Sequence, residues 1–246
     1  MTFDPRTWLD VAPVIERHGR LDVVRDDLLE GGSKSRFLPF LVGDSPEIVY
    51  GSPFCGGAAV ALAVLGKHTG QRVTIFYAKR KALHPRQRRV LVNGATIYQV
   101  PTGYMTNVQA KARAYAAARG AMLLPLGFDV PAAREPLAEA IARVRARTGS
   151  PSEVWCATGS GMLAHALAAG FPESAIRAVA VGLKSRHGSQ SFPSNVEVIE
   201  AKEDFATESR SPVPFPCCPN YDRKAWAIAA EEAKGTALFW NVMGPG

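Results

Sequence analysis

The stretch from 24 to 40, Val-Arg-Asp-Asp-Leu-Leu-Glu-Gly-Gly-Ser-Lys-Ser-Arg-Phe-Leu-Pro-Phe, decides how the 246-residue chain is read. Leu21, Val23 and Val24 give a short apolar strand that runs into the acidic pair Asp26 and Asp27. Gly31 and Gly32 form a hinge. Ser33 then stands at the N-cap position of a predicted helix, with Lys34 in its first turn. A lysine there opposes the positive end of the helix dipole, so its placement asks for a chemical reason.

Downstream, strands and helices alternate. Glu47-Ile-Val-Tyr50 reads as a strand, Gly51-Ser-Pro-Phe-Cys-Gly-Gly57 as a turn, Ala58 to Lys67 as a helix, and Arg72 to Tyr77 as the next strand. A strand–helix–strand unit of this length is a right-handed parallel crossover. A helix from Pro85, a strand Thr96 to Val100, a helix Asn107 to Arg119 and a strand Ala121 to Leu124 continue the pattern. The fold class is therefore α/β with mainly parallel sheets. Residues 1–19, broken by Pro5 and Pro13, read as a short helix or two turns.

In the second half, the helix Ala132 to Thr148 precedes the strand Ser152 to Cys156 and the tight turn Ala157-Thr-Gly-Ser-Gly161. The helix Met162 to Ala169 starts directly after it. Backbone N–H groups of such a turn, with the helix N-terminus, make a cradle for a phosphate. The strands Ile176 to Gly182 and Val196 to Ile199 flank a polar loop, a helix runs from Pro219 to Lys234, and a last strand spans Thr236 to Val242.

The Lys34 segment resembles the Arg-Asp-Asp-Leu…Gly-Gly-Asn-Lys-x-Arg-x-Leu motif of fold-type-II pyridoxal-phosphate (PLP) enzymes, the tryptophan synthase beta superfamily. Within it the sequence is nearest the 1-aminocyclopropane-1-carboxylate (ACC) deaminase and D-cysteine desulfhydrase branch. Thr158-Gly-Ser-Gly161 resembles the family's phosphate turn, and Pro219-Asn-Tyr-Asp-Arg-Lys-Ala225 its active-site tyrosine segment. The resemblance implies two three-layer αβα domains. Residues 1–45 with 120–246 would form the large PLP-binding domain, and residues 46–119 the small one. It implies a Schiff base at Lys34, phosphate contacts from Thr158, Gly159, Ser160 and Gly161, an active-site Tyr221, and a homodimer. Two departures stand out. Cys55 and Gly56 replace a serine and a ring-contacting asparagine, and a thiol can serve in acid–base or nucleophilic work if its pKa is lowered. At the terminal strand, Val242 occupies the place of the polar partner of the pyridine nitrogen, with Asn241 or Tyr221 the nearest compensating groups.

Composition limits the class. With 47% hydrophobic and 21% charged residues the chain is a globular protein. No apolar run reaches membrane-spanning length, and the N-terminus lacks a signal-peptide pattern. Cys55, Cys156, Cys217 and Cys218 lack metal-ligand spacing, so no metal is expected, and a cytoplasmic location fits free thiols. The net charge of +7 concentrates in Lys79, Arg80, Lys81, Arg86, Arg88 and Arg89, which read either as a solvated face or as a strip for nucleic acid.

The resemblance implies a lyase or deaminase acting at the α carbon of an amino-acid-like substrate, with Lys34, Cys55 and Tyr221 catalytic and Asn241 among the cofactor contacts. Two alternatives stay open. One is decarboxylation or transfer of an amino acid linked to DNA or RNA, and the other a non-catalytic descendant that binds PLP or a partner. A phosphoribosyl-transfer reading of Thr158–Gly161 is weaker, because the preceding strand ends in Trp155-Cys156 without an acidic pair.

Overall fold

A computed structural model describes residues 3–101, 103–128, 130–181 and 192–245. Its first half opens with a single helical turn, α1 (Arg6–Leu9), followed by β1 (Ile15–His18) and β2 (Leu21–Arg25). The last two pair antiparallel, Ile15 opposite Val24. The expectation of helix or turns for residues 1–19 thus misses β1. Its residues Ile-Glu-Arg-His carry little apolar signal because an edge strand has one partner and keeps polar side chains.

Next come α2 (Leu38–Val42), β3 (Glu47–Gly51), α3 (Gly57–Thr69), β4 (Arg72–Ala78), α4 (Pro85–Val92), β5 (Thr96–Val100), α5 (Met105–Arg119) and β6 (Met122–Leu124). Strands β5-β4-β3-β6 form a four-stranded sheet in that order, parallel throughout. β6 hydrogen-bonds along β3, Ile48 opposite Met122, so the four-stranded sheet extends to residue 124. A helix-closing Gly120 at φ 60 turns the chain straight back onto β3, which keeps the strand with its own α5.

The remaining elements are α6 (Arg134–Thr148), β7 (Glu153–Thr158), α7 (Met162–Gly170), β8 (Ala175–Ala180), β9 (Val196–Glu200), α8 (Asp222–Glu232) and β10 (Ala237–Asn241). Strands β1-β2-β10-β7-β8-β9 build a six-stranded sheet, parallel except for β1. The polar loop expected after β8 lies largely at 182–191, outside the described residues. Among the described residues no helix is long and apolar enough to cross a membrane.

The central strands of both sheets are strongly apolar, as strands covered on both faces require. β3 and β7 are buried at every position. Ala58 through Gly66 of α3 are all buried, and their small side chains let the helix lie tightly against β3 and β4. Register places the carboxyl ends of β2, β10 and β7 side by side, Trp240 being opposite both Val24 and Cys156. In parallel α/β sheets the loops leaving those ends build the site. Here they are the Lys34 turn, the 242–243 segment and the turn Thr158–Gly161.

Candidate active site

Lys34 lies on a 3₁₀ turn, Gly32–Arg36, rather than on the first turn of an α-helix. The turn is anchored at both ends. Gly31 and Gly32 adopt φ of 95° and 75°, open to glycine at little cost. A Cβ on Gly32 would lie 2.4 Å from the carbonyl oxygen of Val242, and Ser33 N–H donates to that same oxygen at 2.9 Å. Ser33 is not an N-cap. Its hydroxyl instead accepts from Trp240 Nε1 at 3.1 Å. Arg36, buried, donates through Nε and Nη2 to Asp26 Oδ1 at 3.0 and 2.7 Å. The acidic pair is therefore structural, with Asp26 holding Arg36 and Trp240, and Asp27 holding Arg25 and Asn241.

Lys34 keeps a little accessible surface, yet burial pushes its amine well below the ordinary lysine range. Asp222 opposes that shift and Arg86 adds to it. Asp222 itself is fully buried, and burial pushes its carboxyl up to about 7 against pulls from the Val242 and Met243 N–H groups and from Lys34. It accepts from Val242 N–H at 3.1 Å and Met243 N–H at 3.3 Å. The carboxyl from α8 therefore lies against the backbone of Val242 and Met243, and Asp222 is a residue that sequence reading passes over. Its signal was its place directly after Tyr221, in the first turn of a helix, where an acidic side chain suits the dipole.

Tyr221 packs under the turn Thr158–Gly161, where a Cβ on Gly159 would lie 3.6 Å from its hydroxyl. Burial raises its pKa, so the hydroxyl stays protonated at neutral pH. Asn241 is fully buried, with Nδ2 donating to Asp27 Oδ1 at 2.7 Å and to Pro216 O at 2.9 Å; its Oδ1 has no partner among the described residues. Thr158 closes β7, and Gly159, Ser160 and Gly161 lead into α7. Gly161 adopts φ 90, and among the described residues no side chain caps the N-terminal N–H groups of α7.

The small sheet supplies the opposite wall. Cys55 is buried, and burial pushes its thiol up to about 11, against the Arg86 charge. The condition for a thiolate, a lowered pKa, is not met, and the thiol is neutral at neutral pH. Arg86 is a second surprise. The sequence groups it with the exposed strip, but α4 turns it inward to 2% exposure while Lys79, Arg80, Lys81 and Arg88 remain outside. Helical periodicity is the cause, since Arg86, Gln87 and Val90 share the buried face of α4. Arg86 Nη1 donates to Cys55 O at 3.0 Å and lies 3.5 Å from Met243 Sδ, joining the two sheets.

The sequence profile of pyridoxal-phosphate dependent enzymes matches residues 31–238. This chain belongs to that family. It is accordingly a PLP-dependent enzyme of fold type II. Among solved structures, an ACC deaminase homologue is similar with a TM-score of 0.75 at 15% identity, covering 91% of this chain and 84% of that one. Threonine deaminase isoform 2 from Solanum lycopersicum is similar with a TM-score of 0.72 at 12% identity, covering 96% and 80%. At such identities the likeness is one of fold. Among curated proteins, large ribosomal subunit protein bL21 from Cereibacter sphaeroides is 38% identical over 69 residues, 27% of this chain and 52% of that protein. The chain thus spans about half the length of the curated relatives it matches.

The residues present fit PLP. A desolvated lysine, a buried carboxyl at the carboxyl end of β10 and an uncapped helix N-terminus converge from three loops at one edge of the six-stranded sheet.

Proposed function

We propose that the chain is a PLP-dependent lyase of the deaminase kind, acting at the α carbon of an amino-acid-like substrate, with Lys34 holding the cofactor through Nζ. The observation that carries this reading is the place of Lys34 on a turn fixed to β10, within electrostatic reach of the buried Asp222, where burial lowers its basicity. A neutral amine is a nucleophile and a proton carrier, and burial keeps Lys34 closer to that state at neutral pH. When bound, PLP withdraws electrons from the α carbon of an attached amino acid and so acidifies its proton.

The protein's own residues do the rest. The N–H groups of the turn Thr158–Gly161 and of α7 bind the phosphate, with the dipole adding to their pull. Asp222, held by two backbone N–H groups, is the carboxyl partner for the ring end of the site in place of Val242. Lys34 moves the proton at the α carbon. The protonated Tyr221 and Cys55 flank the substrate as donors, and the walls of Trp240, Tyr221 and Met243 exclude water.

The test is release of ammonia and a keto acid by PLP-loaded protein from a panel of D- and L-amino acids. Activity that disappears in Lys34→Ala supports the reading, and activity that survives in it contradicts the assignment.

A further inference from the structure

Arg86 is a buried cation whose surroundings do not satisfy it. Nη1 has the Cys55 carbonyl, but Nε and Nη2 are buried with no hydrogen-bond partner among the described residues. The Tyr77 hydroxyl, also buried and within electrostatic reach of Arg86, has only the Ser52 hydroxyl beside it. The nearby Ser52 hydroxyl directs its own proton to Pro53 O at 3.0 Å. A guanidinium cannot shed its charge to escape this situation. Leaving such donors unpaired in the interior is costly, and an uncompensated buried charge more so.

Nor do neighbouring charges balance it. Arg86 is close enough to Lys34 to lower its pKa, whereas the buried Lys224 has partners of its own, its Nζ donating to Asp204 O at 2.6 Å with Glu203 and Asp204 in electrostatic reach. Against them stands Asp222, whose oxygens already receive the Val242 and Met243 N–H groups. On the small-sheet side Arg86 Nε, Arg86 Nη2 and Tyr77 Oη are thus left without a charged partner, with the neutral Cys218 thiol and Ser52 hydroxyl beside them. A planar oxyanion is the complementary ligand, because it takes two parallel N–H donors of a guanidinium at once. The phosphate of the cofactor has its own place on the other sheet, at the N-terminus of α7.

We propose that Arg86, with the Tyr77 hydroxyl, receives the carboxylate of the substrate and restricts the enzyme to amino acids that carry it, excluding the corresponding amines. The inference rests on Lys34 being the cofactor-bearing residue, which fixes the amino end of the substrate. The carboxylate then bridges the sheets at the point where Arg86 already reaches Met243.

The experiment uses PLP-loaded wild type, Arg86→Gln, Arg86→Lys and the exposed-site control Arg88→Gln. Glycine and methylamine, which differ in the carboxylate alone, are titrated calorimetrically, and acetate is titrated into cofactor-free protein. Wild type and Arg88→Gln are expected to bind glycine at least about tenfold more tightly than methylamine. Arg86→Gln should lose about 10- to 100-fold for glycine, leave methylamine unchanged and no longer bind acetate. Arg86→Lys, which keeps the charge and loses the fork, should fall between them, and it decides the matter if Arg86→Gln does not fold. Equal affinities in wild type, or a glycine preference retained without Arg86, would overturn the proposal. So would loss of PLP itself from Arg86→Gln, because Arg86 would then serve the cofactor. Arg86-dependent acetate binding in a protein whose Lys34 takes no PLP would instead overturn the lysine reading and leave the anion site standing.

Discussion

Asp222 accepts the Val242 backbone N–H at 3.1 Å, which sets a fully buried carboxyl against the end of β10. Burial pushes that carboxyl up from 3.8 to about 7, while the backbone N–H groups and Lys34 pull it back. A carbon-13 titration of the side chain should therefore show a midpoint near 7. Lys34→Met removes a cation that favours the carboxylate, so the midpoint should move higher. Because the folded state holds this proton more tightly than the unfolded one, the Asp222 contribution to stability falls as pH rises from about 4 to about 7. A midpoint near 4, unmoved by Lys34→Met, would separate the two residues.

Gly32 approaches β10 too closely for a side chain. Gly32→Ala places a Cβ 2.4 Å from the Val242 carbonyl oxygen at a residue with φ 75. The conformational penalty alone is about 1–2 kcal/mol, and the clash is with backbone, which cannot rotate away. The expected outcome is a lower unfolding midpoint in urea together with weakened PLP binding, since the Lys34 turn must shift. Wild-type values for both would show that the turn has room.

Asp26 holds Arg36 and Trp240 in the core beneath the same turn. Asp26→Ala leaves the Arg36 guanidinium with only the carbonyls of Trp8 and Val11 as partners. Removing one member of a buried ion pair costs about 3–5 kcal/mol. Chemical denaturation should show a loss of that order, while Asp4→Ala at the exposed N-terminal region changes stability little.

What the sequence reveals here is what depends on neighbours in the chain. The Lys34 turn, with its paired glycines, and the Thr158–Gly161 turn between a strand and a helix are local devices, and both appear where the residues put them. Cys55 offers its backbone carbonyl to Arg86, and Tyr221 lies against Gly159. The rest arises from contacts made at long range. Ser33 has the chemistry of an N-cap, but Trp240, 207 residues away, takes its hydroxyl. Arg86 sits among basic neighbours, but its phase on α4 sends it to Met243, 157 residues away. Asp222 looks like an ordinary acidic first-turn residue until β10 brings two N–H groups to it. No local pattern encodes which strand lies beside which.

The central claim is that Lys34 carries the cofactor, and the most direct measurement is borohydride reduction of PLP-loaded protein followed by peptide mass analysis. The visible absorbance of the bound cofactor should bleach on reduction. A single pyridoxyl adduct should appear on the peptide containing Lys34, with Lys224 unmodified and Lys34→Ala giving neither absorbance nor adduct. An adduct on Lys224 or another lysine, or an unchanged spectrum in Lys34→Ala, would contradict the account.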